Sequence, residues 1–502
     1  MTDGGTRPPP ERLTAVSIEA PGVDEEVVVP WSDLIERGGH PAAPAGAVDR
    51  RGRNRSPWLV TWVVLFGTFW VASTITILAV SRPEIAADLG TSIESLVWLI
   101  SGPTIAVALT GTTAGKLGDL HGHRRVYVLG MVGATVFVAL TAIAWSGPSL
   151  IAFRVLGATI GAATGPSSLA LINRMFAPED RSRALGFWSL VVAGGPVFGL
   201  VVGGPLVEAY GWRAIFWFQA PLLAVATLAS WWLLPETPRR LHVHFDIQGQ
   251  ATLAVALAGL LIGIDRAAAW GPTNPWVVAS FALVPLGLWA FVRVERRVPH
   301  PLIPLGWFRR RNFAVPVAVG FAVQFGYMGG FILAPKLLAD VRGLSADAIA
   351  LLMVPRPLTF AIAGPVAGWL ATRISARTTV VAGTIALSLS MTIFAFVASD
   401  PTTAAIVLAL TLSGIGIGAA QPRLTACVAN AVHEEDLGIA GATQLLVAQV
   451  GTTVGMNLLE AIQVTAAAGA TGAAAGSSYS IAYGVGAAVA VVGVALAGLL
   501  RE

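Results

Sequence analysis

Gly115-Lys116-Leu117-Gly118-Asp119-Leu120-His121-Gly122-His123-Arg124-Arg125 is a polar run between two long apolar stretches, near 95–114 and 125–146. An apolar stretch of about 20 residues is the length of a helix that crosses a bilayer. The run therefore reads as a tight loop joining two membrane helices, with its charges at one membrane face. Gly115 and Gly118 allow close helix approach. Asp119 can cap a neighbouring helix end or pair with Arg124, in either case through charge-assisted bonds.

Outward from this loop the same pattern repeats. Further stretches of spanning length run near 57–80, 148–173, 184–207, 212–234, 249–265 and 275–293, then near 312–338, 346–371, 377–398, 402–430, 437–462 and 479–500, fourteen in all. Composition agrees. The chain is 55% hydrophobic and 12% charged, whereas soluble domains carry about 25% charged residues. This is the sequence of an all-α membrane protein.

Arginine sets the orientation, because cytoplasmic loops hold the positive charge. One set of loops carries Lys116, Arg124, Arg125, Arg181, Arg183, Arg239, Arg240, Arg293, Arg296, Arg297, Arg309 to Arg311, Arg373 and Arg377. The alternate set carries little beyond Arg82, Arg213, Arg266, Lys336 and Arg342. Both termini are expected in the cytoplasm, which an even number of spans permits. High Gly and Ala, with arginine far in excess of lysine, suit a GC-rich bacterial genome and hence a bacterial inner membrane.

Four segments follow. Residues 1–56 are polar, with Pro8-Pro9-Pro10 and Asp24-Glu25-Glu26, and read as a disordered cytoplasmic tail. Residues 57–234 hold six spans and 312–502 another six. Residues 235–311 hold two inserted helices with flanking loops. The halves are related by a faint repeat: Gly368 to Arg373, followed by Arg377, answers Gly115 to Asp119 followed by Arg124. Transporters built from repeated halves bind substrate between them near the midplane.

Several function classes are excluded by what is missing. The basic residues fall in short loops between spans, so nucleic acid is not a partner. Cys427 is a single cysteine, without a disulfide or a ligand set. His242-Val243-His244 is too little for a metal site. No nucleotide-binding loop and no Ser/His/Asp set is present, so neither an enzyme nor an ATP-driven pump is expected, and no cofactor is called for.

A second stretch is as informative as the first. Gly195-Pro196-Val197-Phe198-Gly199-Leu200-Val201-Val202-Gly203-Gly204-Pro205 leads to Gly211-Trp212-Arg213. Gly195, Gly199 and Gly203 recur every four residues and form one smooth stripe for a close neighbour. Pro196 should add a kink. Together the two stretches resemble signatures of the major facilitator superfamily, and the second resembles the antiporter motif of its fourteen-span drug:proton antiporters. Arg154-Val155-Leu156, Glu179 to Gly186, Asp246-Ile247-Gln248-Gly249, Trp270-Gly271 and Gln449-Val450-Gly451 extend the resemblance from about residue 60 onward. The resemblance implies two six-helix halves plus an inserted pair. It also implies a conformational-switch loop at Gly115, Gly118, Asp119, Gly122, Arg124 and Arg125, and an antiporter helix at Gly195, Pro196, Gly199, Gly203 and Gly204. The implied activity is secondary active export of a hydrophobic or amphiphilic small molecule, coupled to protons, by a monomer among membrane lipids.

One departure bears on mechanism. The family's first-helix acid falls on Thr74 here, and its Asn on Ala79. Proton coupling needs a titratable group in the pathway, usually a carboxylate. The remaining candidates are Glu460, toward the outer end of the thirteenth span, and Asp119. Arg356 lies about 15 Å into the tenth span, between Pro355 and Pro357, and Arg154 lies shallower. These cations suggest a cavity for an anionic headgroup, and with it an alternative function: a lipid or anionic-amphiphile transporter without conventional antiport. The plainer reading has Arg356 bonding carbonyls freed by the two prolines. Gln324, Tyr327, Gln444, Gln449 and Trp98 complete the candidate cavity, since polar groups in a bilayer turn inward.

Overall fold

The computed structural model describes residues 15–18, 27–30, 47–48, 54–92, 95–237, 246–271, 273–298, 301–467 and 473–500. It divides into the unit Met1–Gly46 and the unit Ala47–Glu502. In the first, the described residues are two short antiparallel strands, Ala15–Ile18 and Val27–Pro30. The rest of the expected tail lies largely outside the described residues.

The second unit is helical apart from a two-residue strand pair, Ala47–Val48 with Asn54–Arg55. Its helices are α1 (Pro57–Val80), α2 (Arg82–Leu89), α3 (Trp98–His121), α4 (His123–Ala142), α5 (Gly147–Gly161), α6 (Thr164–Met175), α7 (Arg181–Tyr210) and α8 (Arg213–Leu233). Then come α9 (Ile247–Trp270) and α10 (Pro275–Glu295), the inserted pair. The second half has α11 (Arg311–Arg342), α12 (Ala346–Met353), α13 (Pro355–Trp369), α14 (Ala376–Val397), α15 (Thr403–Asn430), α16 (Leu437–Ala467) and α17 (Ala473–Ala497). Each of the fourteen apolar stretches falls on one helix or a broken pair. Among the described residues, eleven spans meet both length and apolarity criteria for crossing a membrane. Lipid offers no partner to backbone N–H and C=O groups, so helices are the form these stretches must take.

Two spans are broken. The tenth breaks at Val354, where Pro355 starts a new helix. Proline removes a backbone donor and clashes with the preceding turn. The fourth breaks between Gly161 and Thr164, where Pro166 in the first turn of α6 acts on the Ala162 carbonyl four residues earlier. Each half has its own apolar core. One gathers α1, α4, α7 and α8 around Leu65, Tyr127, Trp188 and Phe216; the other gathers α11, α14, α15 and α17 around Phe325, Leu387, Phe394 and Tyr483.

The halves meet along two seams, α3 on α16 and α7 on α13, and glycines make both possible. A Cβ on Gly115 would stand 2.6 Å from Ala442 Cβ and 2.6 Å from Gly438 O. A Cβ on Gly186 would stand 2.6 Å from Gly364 O, and one on Gly368 2.7 Å from Ser182 O. Gly115 and Gly368 are the corresponding positions of the sequence repeat, and each abuts the start of a helix in the other half.

Candidate functional site

The loop quoted at the outset bonds one half to the other. Asp119 is buried at the end of α3, 5% exposed. Its Oδ1 accepts from Gly438 N at 3.0 Å, and its Oδ2 from Ile439 N at 2.9 Å. Those are first-turn donors of α16, which have no partner within the helix. The carboxylate thus caps a helix 319 residues away in sequence, and the positive end of the helix dipole favours its charge. His123 Nε2 donates to Oδ1 at 3.0 Å. A Cβ on Gly118 would collide with the His123 ring. Gly122 has φ 94°, the left-handed region that favours glycine.

Of the two partners open to Asp119, the structure selects the helix end. Arg124 instead reaches Glu236 and the Trp231 carbonyl, fastening α4 to the end of α8. Arg125 is exposed. Three more bonds cross the same face. Arg181 NH1 donates to Asn430 Oδ1 at 2.6 Å, Arg174 NH2 donates to Glu434 O at 2.6 Å, and Lys116 Nζ donates to Pro301 O at 3.1 Å. None of His123, Arg174 or Asn430 was singled out in the sequence. An Arg in a loop gives no sign of which carbonyl it will meet.

The glycine stripe of α7 packs on α1. A Cβ on Gly195 would stand 3.0 Å from Ala72 Cβ, and one on Gly199 would fall inside the Ser73 carbonyl. Gly203 lines a small cavity between α1, α7 and α8, with Trp70, Ser73, Phe198, Phe218 and Gln219. The side chains at Pro196, Gly204 and Thr74 lie outside the described residues. The Gly-Trp-Arg entry to α8 docks on α2: Trp212 N donates to Glu84 Oε1 at 3.0 Å and Trp212 Nε1 to Asp88 Oδ2 at 3.1 Å. Arg213 also pairs with Asp88, and this bond holds the Asp88 carboxyl below its usual range.

The candidate cavity residues are not all brought together. Arg356, 1% exposed, donates to the Tyr327 carbonyl, with its guanidinium carbon 3.8 Å from the Tyr327 ring centroid and 5.0 Å from that of Phe331. So Arg356 does bond a carbonyl, though one on α11 and not one freed by Pro355 or Pro357. Trp98 lies beneath Arg266 of α9, 4.4 Å from guanidinium carbon to ring centroid. Gln444 Nε2 donates to Thr425 Oγ1 at 2.9 Å inside the second half. Gln324 Oε1 and Arg154 Nε are buried without a hydrogen-bond partner. Gln449 is half-buried on α16.

Arg356→Gln is therefore expected to reduce transport of anionic and neutral cargo alike. The side chain supports α11 and α13, and a lost bond to a charged group costs about 1.5–3 kcal/mol. Paired uptake assays with an anionic and a neutral amphiphile check this.

Glu460 pairs with Lys336 near the end of α11 that is poor in arginine, with side chains 31% and 43% exposed. Exposed pairs contribute about 0–1 kcal/mol. Glu460→Gln is expected to leave transport within about twofold of wild type, read in the same assay.

A family model described as Major Facilitator Superfamily matches residues 64–456 and, again, 317–501. The chain belongs to that superfamily. Among its relatives, the tetracenomycin C resistance and export protein of Streptomyces glaucescens is 30% identical over 410 residues, 82% of this chain and 76% of that protein. The multidrug transporter protein MdtP of Bacillus subtilis is 25% identical, over 83% and 77%. The probable actinorhodin transporter of Streptomyces coelicolor is 29% identical, over 88% and 78%. In fold, the chain resembles the human organic anion transporter MFSD10 (TM-score 0.62, 18% identity, 87% of this chain and 100% of that one). It also resembles the proton:xylose symporter XylE (TM-score 0.59, 11% identity, 86% and 94%). A superfamily member of this kind is a multi-pass membrane transporter with efflux relatives, as the two signature stretches imply.

Proposed function

We propose that the chain is a secondary active exporter of hydrophobic or amphiphilic small molecules, working by alternating access and driven by proton antiport. Its arginine-rich face and both termini lie in the cytoplasm of a bacterial inner membrane. The observation that carries this reading is the Asp119 cap. Alternating access needs a seal between the halves that can be made and broken, and a carboxylate on a helix end in the opposite half is such a seal. Asp119, Arg174 and Arg181 all bond across the two halves at that face, which supports an exporter closed toward the cytoplasm. The printed cargo of the relatives makes polycyclic aromatic antibiotics the first substrates to try. The lipid or anionic-amphiphile alternative has less support, because Arg356 is 1% exposed and gives one of its donors to the Tyr327 carbonyl, although its Nε has no hydrogen-bond partner.

The test uses everted membrane vesicles with an imposed proton gradient, a pH-sensitive dye and a panel of aromatic antibiotics and charged amphiphiles. Some compounds should discharge the gradient only when the protein is present. If none does, while purified protein still retains bound amphiphile, proton antiport is wrong.

A further inference from the structure

The two seams between the halves differ in what lies over them. Along α3 and α16 it is the inserted pair. Gln250 of α9 donates to Leu109 O of α3 at 2.6 Å, and Thr112 donates back to Gln250 Oε1 at 3.2 Å. Near the other end of α9, the Arg266 guanidinium stands over the Trp98 ring of α3. Toward α16 the contact is apolar: Leu253 and Leu257 of α9 and Phe291 of α10 share one cluster with Ile439, Ala440 and Leu446. Directional bonds thus hold α9 on α3, and apolar packing, which has no direction to lose, holds it on α16. None of residues 108–120 of α3 or 437–450 of α16 is exposed.

Along α7 and α13 the seam is bare. Leu358, Ile362, Val366 and Trp369 recur at helical spacing on α13 and are each about half exposed, an apolar stripe that in a bilayer faces lipid. At the cytoplasmic end of this seam the halves leave a cavity of about 460 Å³. Pockets of about 300–1,000 Å³ accept drug-sized molecules. Ser182 of α7, Ala371 and Thr372 before α14, and Arg423 and Cys427 of α15 line it. Its inner wall is polar and buried, with Ser182 3% and Arg423 6% exposed. Arg423 donates to the Ile374 carbonyl, which fixes the guanidinium at the wall. Glu179 and Thr372 at the rim are exposed. Deeper along the seam the backbones touch, since a Cβ on Gly186 would stand 2.6 Å from Gly364 O. The cavity is therefore a dead end until the halves part.

We propose that this cavity is the entry site for cargo, and that the cargo is an aromatic amphiphile bearing acceptor oxygens. Such a molecule collects at the boundary between headgroups and acyl chains, so it reaches the path between the halves through a seam. At the bare seam its oxygens accept from Arg423 and Ser182, and its apolar body lies toward the α13 stripe. Arginine, a donor without an acceptor, selects oxygens of this kind. When the halves part, the molecule passes between α7 and α13. The inserted pair moves with α3 and slides over α16, so the other seam stays shut to lipid and cargo throughout. This rests on the exporter reading and names its substrate class and route.

An anthraquinone carrying an alkyl diazirine is the probe. It is added to everted membrane vesicles holding the full chain and activated by light, and its adducts are located by peptide mass spectrometry. Adducts are expected within 178–182, 371–376 and 423–430, and an excess of the unlabelled anthraquinone should cut them at least ~5-fold. Ala371→Trp and Thr372→Trp fill the cavity from its rim, and Thr372 is exposed, so the fold is kept. Each should remove these adducts and raise KM for anthraquinone transport at least ~5-fold with kcat within about twofold, the mark of a lost binding contact. Competed adducts within 108–120, 247–257 or 437–450 overturn the proposal, as does the absence of competed adducts in the cavity. So do wild-type adducts and KM in both tryptophan variants. Gradient-driven transport in the same vesicles separates the two readings. Transport without cavity adducts overturns this site alone, and competed cavity adducts without transport overturn the exporter reading alone.

Discussion

Asp119→Ala is expected to reduce transport at least ~10-fold while leaving a folded protein in the membrane. The substitution removes two acceptor bonds to the start of α16 and one to His123. Hydrogen bonds to a charged group contribute about 1.5–3 kcal/mol each, and a charge at a helix N-terminus adds about 0.3–1 kcal/mol. Only the α16 bonds are broken on opening, so about 3 kcal/mol of closing energy is lost. That is roughly a 100-fold change in the closed-to-open ratio. The carrier would then rest open on the arginine-rich side and cycle poorly. Transport assays show the loss, and faster maleimide labelling of Cys427, which lines a cavity at this face with Ser182 and Arg423, shows its cause. Asp119→Asn can still accept at one oxygen and should fall between the two.

Gly199→Val is expected to abolish most transport and to lower stability by about 1–3 kcal/mol, the usual cost of overpacking. The added Cβ would sit inside the Ser73 carbonyl of α1, a backbone atom that cannot swing aside. Either α1 and α7 separate along the stripe or the bilayer-spanning pair distorts. Gly194 on the same helix is the control, because a Cβ there meets nothing within 4 Å. Gly194→Ala should match wild type or gain slightly, since alanine favours a helix interior over glycine by roughly 0.5–1 kcal/mol. Thermal unfolding in detergent and transport, run side by side, separate the two. Equal effects at both positions would mean that the stripe is not a packing surface.

The spans were legible because lipid leaves an apolar stretch of 20 residues no structure except a helix. The break at Val354 was half-legible, since Pro355 and Pro357 mark it. The break after Gly161 was half-legible too, since Pro166 clashes with the carbonyl four residues before it. At the site, Asp119 could be read as a helix cap from its place in a glycine-rich loop. Its receiving helix could not, because nothing local encodes a partner 319 residues away. Arg356 shows the same limit. Its depth said that it must have a partner, but the Tyr327 carbonyl is fixed by how α11 crosses α13. Asp246 and Glu295 each sit singly at a helix end, where a carboxylate ordinarily meets water. Only the fold shows that they are buried together, both against Gly249.

Antibiotic accumulation in everted vesicles under an inside-acid proton gradient tests alternating-access antiport most directly. A relative's class of cargo, a polycyclic aromatic antibiotic, should concentrate inside the vesicles well above the outside level. An uncoupler should release it, and Asp119→Ala vesicles should fail to build the gradient. Accumulation that ignores the uncoupler, or simple equilibration at the same rate in wild-type and Asp119→Ala vesicles, would contradict a proton-driven exporter sealed by the Asp119 cap.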